Sequence, residues 1–302
     1  MADKQTKPEG RRQRRWFAGA GVWAENVEIA APGQISEIAQ RAATFLAPFV
    51  RLLFRPRIEG LERLPDNRPF LLVANHSAGA GIAEILSFLV LYVQRFGRQR
   101  PLAGFALPLG FHVFPLNWLL RQVGAIPSSE KAAMQTLAAG VPILVFPGGD
   151  HETLRPVWQA HRVDFGGRSG YMRLAQRARV DVVPLAIRGA HFTAPVFYRA
   201  NWLAWLFLFP RLLGIKRWGV SLLSLLGAFA IALLSPLSPP LTALLVWLWM
   251  GSPLIFLPLV PWTIRMKVGE PLSASALCEG DVSLAEASER LQRHMEQLMR
   301  EA

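Results

Sequence analysis

Between Arg57 and Ala190, short apolar runs alternate with segments whose apolar positions recur at helical spacing. Arg57–Gly60, Phe70–Asn75, Val141–Phe146 and Val180–Ile187 read as strands, several of them continuously apolar, as expected when a sheet is covered on both faces. Ala83–Phe96, Asn117–Val123, Glu130–Ala139 and Gly170–Arg179 read as the intervening helices. This alternation predicts an α/β layer fold with a mixed, mostly buried sheet. Upstream, Gln34–Phe54 reads as a helix broken or kinked at Pro48. Its apolar residues are too many for one narrow face, which leaves two readings: a helix lying in a membrane interface, or one packed on the domain. Downstream, Thr263–Val268 is strand-like. Val282–Arg300 is a polar amphipathic helix with Leu284, Leu291 and Leu298 at heptad spacing, expected to pack on the domain.

Trp218 to Ile264 breaks this pattern, because it holds no charged residue. Gly219–Ser235 and Leu241–Leu257 flank the turn Pro236-Leu237-Ser238-Pro239-Pro240, with Lys216, Arg217, Arg265 and Lys267 outside them. Each stretch is near the lower limit of roughly 17–25 residues for a spanning helix. A hairpin entering and leaving on the cytoplasmic side fits the positive-inside tendency. A shallow re-entrant hairpin and a buried helix pair are the alternatives. The organisation expected is a basic, aromatic tail over 1–33, an interfacial helix over 34–56, an α/β domain over 57–200 and 258–302, and a hydrophobic hairpin inserted over 201–257.

Composition narrows the partners. The formal charge is +12, yet charged residues are only 18% of the chain and mean hydropathy is +0.26. A basic, Trp-rich, net-hydrophobic chain fits an anionic membrane surface better than nucleic acid, and no nucleic-acid-binding motif appears. Arg11, Arg12, Arg14 and Arg15 precede Trp16, Phe17 and Trp23. They read either as a solvated tail or as a lipid-headgroup anchor, the second favoured by the aromatic residues. The lone Cys278 excludes an intramolecular disulfide. The expected location is a membrane, the inner one in a bacterium, with the site facing the cytoplasm. Membrane lipids are the expected partners.

Three places carry candidate chemistry. The run FLLVANHSAGAGIAE (70–84) delivers Asn75 and His76 from a buried strand into a small-residue turn. There an imidazole is held at a cleft and can take a proton at neutral pH, although a capping or core-edge His is the plain alternative. Val141–Phe146 runs into Pro147-Gly148-Gly149, followed by Asp150, Glu152 and Arg155. Backbone N–H groups in a Gly-Gly turn can approach an oxyanion or phosphate, though such a turn is more often only a turn. Val183–His191 is a strand closing on Arg188-Gly189.

In order, Asn75-His76-Ser77, GAIP (124–127), FPGG (146–149) with Glu152, and VPLAIRG (183–189) resemble the motifs of the glycerolipid acyltransferase superfamily. The similarity is to lysophosphatidate acyltransferases and to an FPGG-bearing branch that includes diacylglycerol and other neutral-lipid acyltransferases. It runs from about Arg57 to Ala190 and resumes over Leu257–Leu272. It implies transfer of an acyl group from acyl-CoA or an acyl-carrier protein to a lipid hydroxyl, with no cofactor beyond that donor substrate and no metal. By resemblance His76 is the general base. The family's usual carboxylate follows the His after four residues, but Gly81 stands there, which makes Glu84 the expected partner. An acid merely favoured by the helix dipole is the alternative for Glu84, with Asp150 or Glu152 as other partners for His76. Asn75, Ser77, Pro147, Gly148, Gly149, Glu152, Arg155 and Arg188 are the expected substrate contacts. Acidic Asp150 and Glu152 occupy the place where phosphate-using members often carry Arg. That tilts the acceptor toward a less charged lipid alcohol, or a lysophospholipid bound differently. A non-catalytic lipid-binding protein on the same scaffold is the rival outside enzymology. An α/β hydrolase is disfavoured by the missing nucleophile elbow.

Overall fold

Phe70–Ala74 is buried at every position, and the rest of the sheet is arranged around it. The computed structural model describes residues 27, 29, 31–76, 79, 81–212, 214–277 and 282–302. The tail carrying the Arg cluster, Ser77 and Cys278 lie outside the described residues. In chain order the strands are β1 (Arg57–Glu59), β2 (Phe70–Ala74), β3 (Ala103–Ala106), β4 (Ile126–Pro127), β5 (Ile143–Val145), β6 (Asp181–Arg188), β7 (Val196–Ala200), β8 (Trp218–Ser221) and β9 (Arg265–Val268). The main sheet runs β1-β9-β6-β2-β5-β3-β4. Strands β6, β2, β5, β3 and β4 are mutually parallel, whereas β9 meets β6 antiparallel and β1 pairs with β9 in parallel.

The longer helices are α1 (Glu37–Phe54), α2 (Ile82–Phe96), α3 (Leu116–Gln122), α4 (Glu130–Ala138), α5 (Gly170–Ala178), α6 (Leu222–Leu234), α7 (Pro239–Gly251) and α8 (Leu284–Glu301). Alternate residues of each central strand feed two cores. Phe70, Leu72, Val183, Leu185 and Ile187 face α1 and α2. Leu71, Val73, Ile143, Val145 and Val182 face α4, α5 and α8. The fold is therefore an α/β layer structure on a mixed, parallel-dominated sheet.

Helix α1 packs on the domain along one side and leaves large apolar side chains exposed along the other. Ala39, Ala43, Ala47, Val50 and Phe54 are buried on one side, while Phe45, Phe49 and Leu52 are 72%, 55% and 73% exposed on the other.

The expectation of a membrane-crossing hairpin is not met. No helix among the described residues is long and apolar enough to cross a membrane. The apolar stretch from Gly219 is divided, because its first residues pair as β8 with β7 and Ser221 caps α6. Helices α6 and α7 keep 13 residues each, about 20 Å of helix against a hydrocarbon core of about 30 Å. A buried helix pair is equally excluded. Ser224 and Gly251 are their only buried residues, and Phe229, Leu233 and Leu234 stand out from the molecule. The base of this apolar arm is anchored in a third core by Trp218, Ile255 and Phe256.

Candidate active site

The ladder of β2 stops at Ala74, and the next residue continues it by other means. Asn75 is buried, its amide donating to the Ile187 carbonyl at 2.8 Å and accepting from the Ile187 N–H at 2.7 Å. Both ends of the amide are thus consumed by β6. Expected as a substrate contact, Asn75 here locks the end of β2 to its neighbour.

That lock fixes the backbone of His76, whose N–H donates to Oε2 of Glu152 at 2.9 Å. The imidazole stacks on Phe146, ring centres 4.3 Å apart, and its Nδ1 contacts Oε1 of Glu84. Glu84 lies fully buried in the first turn of α2, where the helix dipole favours its negative charge. The His76 side chain is 13% exposed. Its Nε2 has no hydrogen-bond partner among the described residues.

Gly81 explains why the partner acid is not at the usual spacing. It caps α2 with φ +74°, and a Cβ there would sit 2.2 Å from His76 Cε1. The ring occupies the space that any acidic side chain at this position would need. The acid instead approaches from one turn further into the helix.

Glu152 and Arg155 are turned inward. The Glu152 carboxylate is fully buried and also accepts from the Asp164 N–H at 3.0 Å and Arg155 Nη2 at 3.1 Å. Burial pushes it up to about 7, against the opposing pull of Arg155 and the backbone donors. Arg155 is 1% exposed and also donates to the carbonyls of Arg162 and Asp164. In this structure the two residues are buried, Glu152 holding the His76 backbone N–H and Arg155 holding Glu152.

The Pro147–Gly149 turn has its first two carbonyls engaged. Pro147 and Gly148 are buried, and Arg168 binds both of their carbonyls. A Cβ at Gly148 would meet Glu152 Oε2 at 2.2 Å. The glycine is therefore needed to admit the Glu152 carboxylate. Asp150 pairs with Arg168 at 2.7 Å and does not reach His76 in this arrangement.

Residues 55–188 match the family model described as Acyltransferase. This segment is an acyltransferase domain. The chain is 27% identical to an uncharacterized protein of Mycobacterium leprae over 166 residues, 55% of this chain and 45% of that protein. It is 28% identical to uncharacterized proteins of Mycobacterium bovis and Mycobacterium tuberculosis over 162 residues, 54% of this chain and 45% of each of those. The match thus spans under half the length of these curated relatives. Among solved structures, it is similar to the 1-acyl-sn-glycerophosphate (LPA) acyltransferase PlsC of Thermotoga maritima, with 19% identity and a TM-score of 0.48. That superposition covers 87% of this chain and 82% of that one.

In the acyltransferase domain, the remaining expected contact, Arg188, ends β6 and lines a cleft with Arg55, Gly189 and Arg265. Two participants escape a reading of the sequence. Phe146 reads there as the end of a strand and the first residue of FPGG, with no role of its own, although the β2–β5 register, Val73 against Val145, carries its ring toward His76. Arg168 is 18 positions from Asp150, and nothing in that spacing marks the pair. Among the described residues no cluster suited to holding a metal ion occurs.

Proposed function

We infer that this acyltransferase works at a membrane interface, moving an acyl group from a thioester donor to a hydroxyl of a glycerolipid or lysophospholipid. The observation that carries the reading is the Glu84–His76 contact at the end of β2. With Glu84 ionised, Nδ1 carries the imidazole proton and Nε2 presents a lone pair. Nε2 takes the proton of the acceptor hydroxyl while that oxygen attacks the thioester carbonyl. Collapse of the tetrahedral intermediate breaks the C–S bond, and the imidazolium returns its proton to the leaving thiolate. Ester and free thiol are the products, so no covalent acyl-enzyme is needed. Glu84 orients the ring and stabilises the transient imidazolium.

The setting supports a lipid acceptor. Phe45, Phe49 and Leu52 of α1, Phe114 and Trp118 at α3, and the α6–α7 arm all expose large apolar side chains. An apolar arm about 20 Å long fits insertion into one leaflet without crossing. The donor is acyl-CoA or an acyl-carrier protein, and the membrane face is the cytoplasmic one. The test is transfer of labelled acyl groups from thioester to lysophospholipid in reconstituted membranes. His76→Ala is expected to lose about 10²–10⁴-fold in kcat. Wild-type turnover in that variant removes His76 from the reaction.

A further inference from the structure

Three arginines stand side by side across the edge of the main sheet. Arg57 of β1 pairs in register with Arg265 of β9, and Arg265 pairs in register with Arg188 of β6. Residues directly opposite share a face, and like charges so placed repel. A sheet does not gain stability from such a row. No Asp or Glu side chain among the described residues forms an ion pair with Arg55, Arg57, Arg188 or Arg265. Arg265 Nη1 donates to the backbone oxygen of Ala302, the last residue of the sequence, at 3.3 Å, so Arg265 is engaged at one nitrogen.

Two of these arginines border a cleft of about 440 Å³, together with Arg55, His161, Phe192 and Trp262. Arg55 reaches it from the end of α1, in a left-handed backbone conformation (φ +39°) that side chains other than glycine adopt at a cost. Phe192 lies between His161 and Trp262, with ring centres 5.9 Å and 4.8 Å away, and gives the cleft an aromatic wall. Burial, and then the positive charge of Arg188, hold His161 below its ordinary value, which keeps that ring a neutral donor. The cleft opens at the same end of the sheet as the candidate base. Asn75 clamps Ile187, so His76 leaves β2 beside the place where Arg188 ends β6.

We propose that this arginine cleft binds a phosphate or diphosphate group carried by one of the two substrates, and so sets where that substrate lies relative to His76. Guanidinium groups match phosphate oxygens in geometry and charge, and a bound anion removes the repulsion along the row. The proposal rests on the acyl-transfer reading for its two sources: the phosphate of a phosphorylated lipid acceptor, or the phosphates of coenzyme A. It also accounts for the acidic turn at Asp150 and Glu152, because a phosphate has a cationic seat elsewhere.

The test is binding to the full chain in detergent micelles. The probes are coenzyme A against pantetheine, and lysophosphatidate against monoacylglycerol. Wild type is expected to favour one phosphorylated probe over its phosphate-free counterpart. Arg188→Gln/Arg265→Gln should weaken that probe at least tenfold and leave the counterpart unchanged; which probe responds identifies the source. Arg55→Gln, at an exposed position, gives the same reading if the double variant fails to fold. Phosphorylated probes that bind wild type and both variants within twofold of one another overturn the proposal, as does a wild type indifferent to phosphate. A wild type that binds through these arginines but transfers no acyl group leaves the cleft standing and defeats the acyl-transfer reading.

Discussion

Gly81→Ala tests the active-site geometry more sharply than deleting the base itself. The added methyl would sit 2.2 Å from His76 Cε1 and 3.1 Å from each ring nitrogen. No contact that short survives, so the imidazole must rotate or retreat, and its Nδ1 leaves Glu84. The variant also forces a side chain into φ +74°, at a cost of about 1–2 kcal/mol. Gly140 separates these two effects. It has φ +79° and nothing within 4 Å of its ideal Cβ. Gly140→Ala should therefore show the backbone cost alone. Gly140→Ala is expected to lose ~1–2 kcal/mol in urea unfolding, a melting shift of a few degrees, and Gly81→Ala at least as much. Only Gly81→Ala should lose acyl transfer, by about 10²–10⁴-fold in kcat, the range for removing general-base assistance. Thioester-to-lipid transfer, followed by free thiol release, reads the rate. Gly81→Ala with native kcat, or Gly140→Ala equally inactive, would refute the claim that the imidazole is poised over Gly81.

Glu152 predicts a pH signature in stability. Its carboxyl titrates at about 7 in the folded protein against an ordinary 4.5. The stabilisation of its protonated form is therefore complete below pH 4.5 and lost as pH rises through 7, about 3 kcal/mol in all. Buried His191 works oppositely, because burial lowers it to about 3 from 6.5, so its contribution is lost as pH falls. The difference between wild type and Glu152→Gln isolates the carboxyl. Urea midpoints should move in favour of the Gln variant by about 3 kcal/mol between pH 4.5 and 7, and a flat difference contradicts the buried-carboxyl account. For the arm, Phe229→Asp/Leu233→Asp places charges where the side chains are 69% and 68% exposed. Co-flotation with anionic vesicles should fall at least tenfold while the circular dichroism spectrum stays native; unchanged flotation shows that the arm does not enter lipid.

The parts of this fold that are legible in the sequence are those whose signal is local. Strand β2 is an unbroken apolar run, and α2 and α8 show helical periodicity, so each is readable from a short window. Strand β3 is not, since Ala103-Gly104-Phe105-Ala106 lacks β-branched residues and depends on its neighbours for its hydrogen bonds. Strand β8 merges into the hydrophobic stretch because Trp218-Gly219-Val220-Ser221 is as apolar as the helix that follows. The same division holds at the site. His76 and Glu84 are close enough in sequence for one turn and one helix start to bring them together. Asn75, Glu152 and Arg155 read as substrate contacts because polar residues beside a motif suggest a ligand. Asn75 is turned by Ile187, 112 positions away, and Glu152 by the His76 N–H, 76 positions away; the partners of Arg155 and Glu152 at Arg162 and Asp164 are nearer, but no periodicity marks them.

The pairing of β1 with β9 bears on how the protein is made. Arg57–Glu59 finds its ladder only in Arg265–Lys267, so that edge of the sheet stays unzipped until the last third of the chain has been synthesised. At ordinary ribosomal speeds of about 5–20 residues per second, the delay is roughly ten to forty seconds. The greasy arm at Leu222–Leu234 and Pro239–Gly251 emerges before β9 does. A nascent chain therefore displays its most apolar segment while its sheet is still open, the situation in which exposed hydrophobic surface and unpaired strand edges favour aggregation.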